Sequence, residues 1–276
     1  MTRDSGPTRP FTIGILFATA VLMIGIPSPT KADSTVPTAA AEDDGSSSEK
    51  QSSDHWVLGI GAVIAPTYEG SDEYAVDPVP LVDVKYGRFF AKTGSGIGFN
   101  IVETDTITAG VGVNWIKGYD EDDVATGIDG VDDAFGARLF VSGRVRGFVT
   151  TLATTQAVTE TDRGMTVNAT VAYPVRPTDR LTITPSLGTT WANEKYMNSY
   201  FGIDASEAAA SGYAQYEPSG GFKNVTFRVA AGYRITDSIN AVGSIGISHI
   251  LGDAADSPLV KEDTSPSALI GLSYSF

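Results

Sequence analysis

From Trp56 to the C-terminus the sequence alternates, residue by residue, between apolar and small polar side chains, and this period of two restricts the possible folds more than any other feature. It is plainest in the last ten residues, SALIGLSYSF. Ala268, Ile270, Leu272, Tyr274 and Phe276 fall on one face, and Ser267, Leu269, Gly271, Ser273 and Ser275 fall on the other. Such a pattern is a β-strand seen from its two sides. Chain ends fray unless something holds them, so a terminus this apolar must be tied into a sheet.

The same alternation recurs along the chain. Trp56, Leu58, Ile60, Ala62 and Ile64 share a face, as do Ile107, Ala109, Val111, Val113 and Trp115. Val225, Phe227, Val229, Ala231 and Tyr233 oppose Thr226, Arg228, Gly232 and Arg234. A secreted soluble β-sandwich would turn the apolar face inward and fill the other with Lys and Glu. Here the second face is small, glycine-rich and hydroxylic with a few arginines, as in a barrel with lipid outside and a polar bore. The expected fold is therefore all-β, a transmembrane antiparallel up-and-down β-barrel of the bacterial outer membrane, and the sandwich is the alternative.

Connection lengths support the barrel. Twelve strands are predicted near 56–65, 79–87, 88–93, 95–102, 106–117, 134–143, 146–157, 164–175, 180–192, 222–235, 238–250 and 267–276. Counted from a periplasmic N-terminus, the odd connections include the long ones at 66–78, 118–133, 193–221 and 251–266. The even ones, such as Gly87-Arg88 and Thr236-Asp237, are short, which matches periplasmic turns and external loops. The stretch 88–102 also reads as one long strand, and a ten-stranded barrel is the alternative count. Trp56, Trp115, Tyr173, Trp191, Tyr233, Tyr274 and Phe276 lie near strand ends on the apolar face, where interfacial girdles sit. Tyr274 and the terminal Phe276 resemble the signal read by the barrel-assembly machinery.

The first residues serve export. Two arginines in Met1–Pro10, an uncharged apolar run over Phe11–Ile26 and small residues at Thr30 and Ala32 read as a signal peptide, 1–32, cleaved before Asp33. Residues 33–55 read as a flexible acidic periplasmic tether, and 56–276 as the barrel. The formal charge is −14, and losing Arg3, Arg9 and Lys31 with Asp4 leaves −16. Such a surface repels phosphate backbones, so no nucleic-acid partner is expected. There is no cysteine, which excludes disulfides, thiolate metal sites and a lipoprotein anchor.

Four stretches carry a family resemblance over about Trp56–Phe276. They are Pro66-Thr67-Tyr68-Glu69-Gly70-Ser71, Pro78-Val79-Pro80-Leu81-Val82-Asp83, Tyr196-Met197-Asn198-Ser199-Tyr200-Phe201-Gly202-Ile203 leading to Ser211-Gly212, and Ser257-Pro258-Leu259-Val260. In this order they resemble the MipA/OmpV family of outer-membrane proteins. The resemblance implies outer-membrane lipids as surroundings and a murein lytic transglycosylase and a murein synthase as partners. It also implies a non-enzymatic scaffold, the alternative being a porin-like channel or uptake protein. It brings no catalytic residues.

Nor do the residues themselves suggest an enzyme. Mature histidines are only His55 and His249, and strand alternation sends His249 and its neighbour Ser248 to opposite faces. No cofactor or metal site is expected. The carboxylates of 118–133 do not keep the spacing of a calcium loop and read as a solvated acidic loop. Gly94-Ser95-Gly96 reads as a turn. Candidate lumen residues are Asp83, Lys85, Arg138, Arg144, Arg228 and Arg234, and candidate loop contacts are Tyr196, Tyr200, Phe201, Tyr213 and Tyr216.

Overall fold

Each alternating segment forms a strand because only pairing satisfies backbone groups in a setting where one face meets lipid. The structure, a computed structural model, describes residues 54–276. The expected signal peptide, 1–32, and all of the expected tether except Asp54 and His55 lie outside the described residues. The strands are β1 (His55–Pro66), β2 (Tyr74–Tyr86), β3 (Phe89–Lys92), β4 (Gly96–Glu103), β5 (Ile107–Ile116), β6 (Ala134–Val145) and β7 (Phe148–Ala157). They continue as β8 (Met165–Ala172), β9 (Val175–Thr178), β10 (Leu181–Ala192), β11 (Gly221–Arg234), β12 (Ile239–Ile250) and β13 (Thr264–Ser275).

Apart from β8 and β9, consecutive strands pair antiparallel, and β13 returns to β1 in the register Val57↔Ser275 to Ile64↔Ala268, which closes the ring. Strands β8 and β9 both lie along β10 and are separated at Tyr173-Pro174, where proline lacks a donor for the ladder. They form one stave, so the barrel has twelve. The stretch 88–102 is a short hairpin, β3–β4, turned by Thr93-Gly94-Ser95.

Side chains follow the expected alternation. Ile60 is 68% exposed and Ile270 73% exposed on the outer face, whereas Leu81 is 1% exposed inside. In water such a surface would aggregate; in a bilayer it is the lipid-facing band. Among the described residues no helix is long and apolar enough to cross a membrane.

Two features differ from the sequence reading. Strand β2 begins at Tyr74 rather than near 79, so the first loop shrinks to 67–73. The long connection after β10, read as loop, contains α1 (Glu194–Phe201) and α2 (Ala205–Ser211). Local chemistry explains both helices. The Asn193 side chain accepts from Tyr196 N, and Asp204 and Glu207 form a reciprocal capping box. A third short helix, α3 (Gly252–Ala255), follows β12.

Candidate functional site

The bore has three levels; strand alternation supplies the lower two, and the connection after β10 supplies the third. At the short-turn end, taken as periplasmic, opposite charges are paired. Asp83 holds His55 Nε2 at 3.1 Å on one oxygen and accepts from Lys92 Nζ at 2.9 Å on the other. Beside them Lys85 pairs with Glu103, which also accepts from Asn100 Nδ2 at 3.1 Å. Lumenal parity on β2 places Asp83 and Lys85 together, and the β2–β3 pairing brings Lys92 opposite Asp83. Arg144 and Arg234 share that parity but lie at the periplasmic rim. Arg144 is exposed, and Arg234 donates to Asp179 O at 2.8 Å. They end their strands, where long side chains reach solvent instead of the bore.

Midway up, Arg138 and Arg228 are buried and line a cavity of about 580 Å³ with the hydroxyls of Thr155, Thr190 and Thr226. The cavity is of the size that takes a small organic molecule.

At the outer mouth the 193–220 connection folds down as a cap. Met197 and Phe201 of α1 are almost fully buried and pack with Tyr196 and Tyr200 against strand-end residues Ile116, Ala134, Ala157, Ala192 and Ile250. Tyr196 and Tyr200 stack at 4.2 Å. Ser257 Oγ donates to Phe201 O at 2.7 Å, which ties the cap to the last loop. Burial raises the affinity of the Tyr119, Tyr196 and Tyr200 hydroxyls for their protons, so they remain neutral donors. Tyr213 and Tyr216 sit at the cap's outer edge. There Lys261 Nζ donates to Tyr213 Oη at 2.7 Å, and Tyr216 Oη donates to Asp253 O at 2.7 Å.

Three charged residues that the sequence reading did not single out fasten this cap. Arg163 is buried, lies 4.4 Å from the Tyr200 ring centre and donates to Tyr200 Oη, Asp132 O and Lys117 O. Glu69 of the first loop pairs with Lys223 and accepts from Asn224 Nδ2 at 2.6 Å. Strict alternation with Val225 and Phe227 would send Lys223 outward. A register shift between β10 and β11 at Thr190/Trp191 leaves it without a Cα partner there and turns it inward. A β-bulge re-aims one side chain in this way, and alternation cannot show it. For Glu69 the available signal was its place in the PTYEGS stretch.

Two carboxylates of the acidic loop accept from the loop's own backbone. Asp133 Oδ1 accepts from Gly118 N at 2.7 Å, and Asp123 Oδ2 accepts from Asp120 N at 3.3 Å. Among the described residues no group of three or more His, Cys, Asp and Glu is arranged to hold a metal ion. Ser248 Oγ lies 3.0 Å from Thr226 Oγ1, while His249 Nδ1 lies 2.8 Å from Thr264 Oγ1, so the two neighbours serve separate strand contacts.

Comparison with known proteins adds the following. A family model described as MltA-interacting protein MipA matches residues 58–276. The putative outer membrane protein YiaT of Escherichia coli (strain K12) is 30% identical over 97 residues, which is 35% of this chain and only 39% of that protein's length. The 24 kDa outer membrane protein of Pasteurella multocida (strain Pm70) is 23% identical over 232 residues, 80% of this chain and 90% of the relative. Among solved structures, the KdgM porin aligns over 80% of this chain and 99% of its own with 8% identity and a TM-score of 0.43. The NanC porin aligns over 79% and 98% with 8% identity and a TM-score of 0.44.

Proposed function

The chain belongs to the MipA family, and from that premise we propose that it is a non-enzymatic adaptor that holds a murein-processing enzyme at the inner surface of the outer membrane. The outer-membrane location is that of its relatives, and the barrel is the fold of the chain itself. The adaptor role is our reading.

The capped mouth is the observation that carries it. A solute channel needs a continuous wet path, and here Met197, Phe201 and the stacked tyrosines occupy the outer end of the bore. The paired charges at the inner end also favour a filled scaffold over a conduction pathway. The periplasmic turns are short, so they offer a partner little area, and a stable interface usually needs about 1,000 Å². The acidic segment 33–55 supplies that area by ordering on the partner.

The test pairs two measurements on the purified full mature chain. Chemical crosslinking to a purified murein lytic transglycosylase is expected to succeed and to fall sharply when residues 33–53 are removed. Planar-bilayer recordings are expected to show no stable unitary conductance. Stable conductance that changes with Arg228→Gln, together with no crosslinked transglycosylase, would replace the adaptor with a channel.

A further inference from the structure

The barrel wall has a gap, which follows from how short the β3–β4 hairpin is. Strand β2 pairs with β1 from Tyr74 to Lys85, but with β3 only from Asp83 to Tyr86. On the other side β4 pairs with β5 only up to Ile97↔Val113, although β5 runs on to Ile116. Above the Lys92–Gly96 turn, therefore, β2 and β5 face each other with no strand between them among the described residues.

This edge is adapted to being open. Thr93 N donates to Val82 O at 2.9 Å, Val82 N donates to Thr93 Oγ1 at 2.8 Å, and Thr93 Oγ1 donates to Pro80 O at 2.7 Å. Even-numbered residues of β2 thus direct their backbone groups toward the gap. Pro78 and Pro80 are the next two in that series, and proline has no N–H to leave unpaired. Overhead, the Tyr68 and Tyr119 rings meet at 5.5 Å and turn the notch into a window.

The cavity continues through the window. Its lining combines lumenal groups with residues of the lipid face: Ile97 and Val113, both exposed outward, and Trp115 against Phe135, whose rings meet at 4.9 Å. On the lumenal side two polar groups lack protein partners. Arg138 is 5% exposed, and no ion pair or hydrogen bond from another described residue reaches its guanidinium. Asn114 Oδ1 is buried without a hydrogen bond. A buried guanidinium without a counter-ion is costly and marks a place for an anion. Unpaired backbone at membrane depth is tolerated only where it lines a cavity.

We propose that this window is a lateral portal, through which an anionic amphiphile dissolved in the outer membrane enters the bore with its head group at Arg138. Its apolar chain lies between Ile97, Val113 and Trp115. The lipid-facing rim supplies chain contacts, Arg138 supplies a forked donor for a carboxylate or phosphate, and Asn114 accepts from a protonated oxygen or a bound water. This property is separate from the adaptor role, since it uses the wall above the hairpin and none of the periplasmic face.

The full mature chain in nanodiscs is titrated with dansylaminoundecanoate and with its methyl ester. Saturable binding of the carboxylate is expected, with a loss of roughly tenfold or more in Arg138→Gln and a change of under about twofold for the ester. Because the chain has no cysteine, Val113→Cys can be labelled after folding with a bulky maleimide, and this is expected to abolish binding. The same label on Ile245→Cys, a lipid-facing position of β12, is expected to leave it intact. Binding that survives the label at Val113 would overturn the portal. Equal losses of acid and ester in Arg138→Gln, or no loss of either, would overturn the head-group site.

Discussion

Replacing Phe201 by Ala tests whether the cap is held by packing. Helix α1 spans Glu194–Phe201, too short to be stable alone in water, so its order must come from tertiary contacts. Phe201 is 1% exposed and sits in one cluster with Met197, Tyr196 and Ala254. Removing a ring from such a site costs about 3–5 kcal/mol. At about 1.4 kcal/mol per tenfold, the open population of the cap should rise roughly a hundredfold to a few thousandfold. The barrel is held by separate strand ladders and should not change. Hydrogen exchange on the protein in nanodiscs reads this directly. The amides of 194–201 should lose protection by about those factors, while β1 and β13 keep theirs. Phe222→Ala, a lipid-facing residue at 59% exposure, should leave α1 protection unaltered. A change of less than about threefold in the Phe201 variant would refute packing as the source of closure.

Three further outcomes are expected. Deleting Phe276 should lower the folded membrane fraction, measured by heat-modifiable gel mobility, far more than deleting one residue from 33–53; equal losses would remove Tyr274 and Phe276 as an assembly signal. At the closing seam, a Cβ on Gly59 would stand 2.2 Å from Leu272 O, whereas one on Gly221 would meet nothing within 4 Å. Gly59→Ala should therefore destabilise the barrel by about 1–3 kcal/mol in urea refolding titrations and Gly221→Ala should not, and comparable effects would contradict the register of β1 on β13. The Asp204 carboxyl is held below its usual range by the Ser206 hydroxyl and the Glu207 amide, so its capping of α2 is fully present above the ordinary aspartate value and is lost as pH falls through the lowered one. Protection factors of α2 amides should fall with acid in the wild type and stay flat in Asp204→Asn, which caps without titrating; matching profiles would exclude Asp204 as the cause.

The sequence alone determined the parts of this protein that depend on neighbours along the chain. Alternation of side chains is a property of consecutive residues, so the lipid-facing band, the hydroxylic bore and the apolar terminal strand were legible from Trp56 to Phe276. Loop lengths told the two ends apart. The Asn193 N-cap and the Asp204 capping box are equally local, although strand periodicity does not reveal them. Tertiary structure decided what lies far apart in sequence or breaks the period. Glu69 finds Lys223, and Arg163 finds Tyr200 and Lys117, only when the ring closes. Lys223 points inward because a bulge shifts its register against β10. The window exists because the β3–β4 hairpin stops where Ile97 meets Val113 while β2 and β5 continue. Period two records which face a residue takes; where a strand ends relative to its neighbours is set by register and shear across the closed sheet.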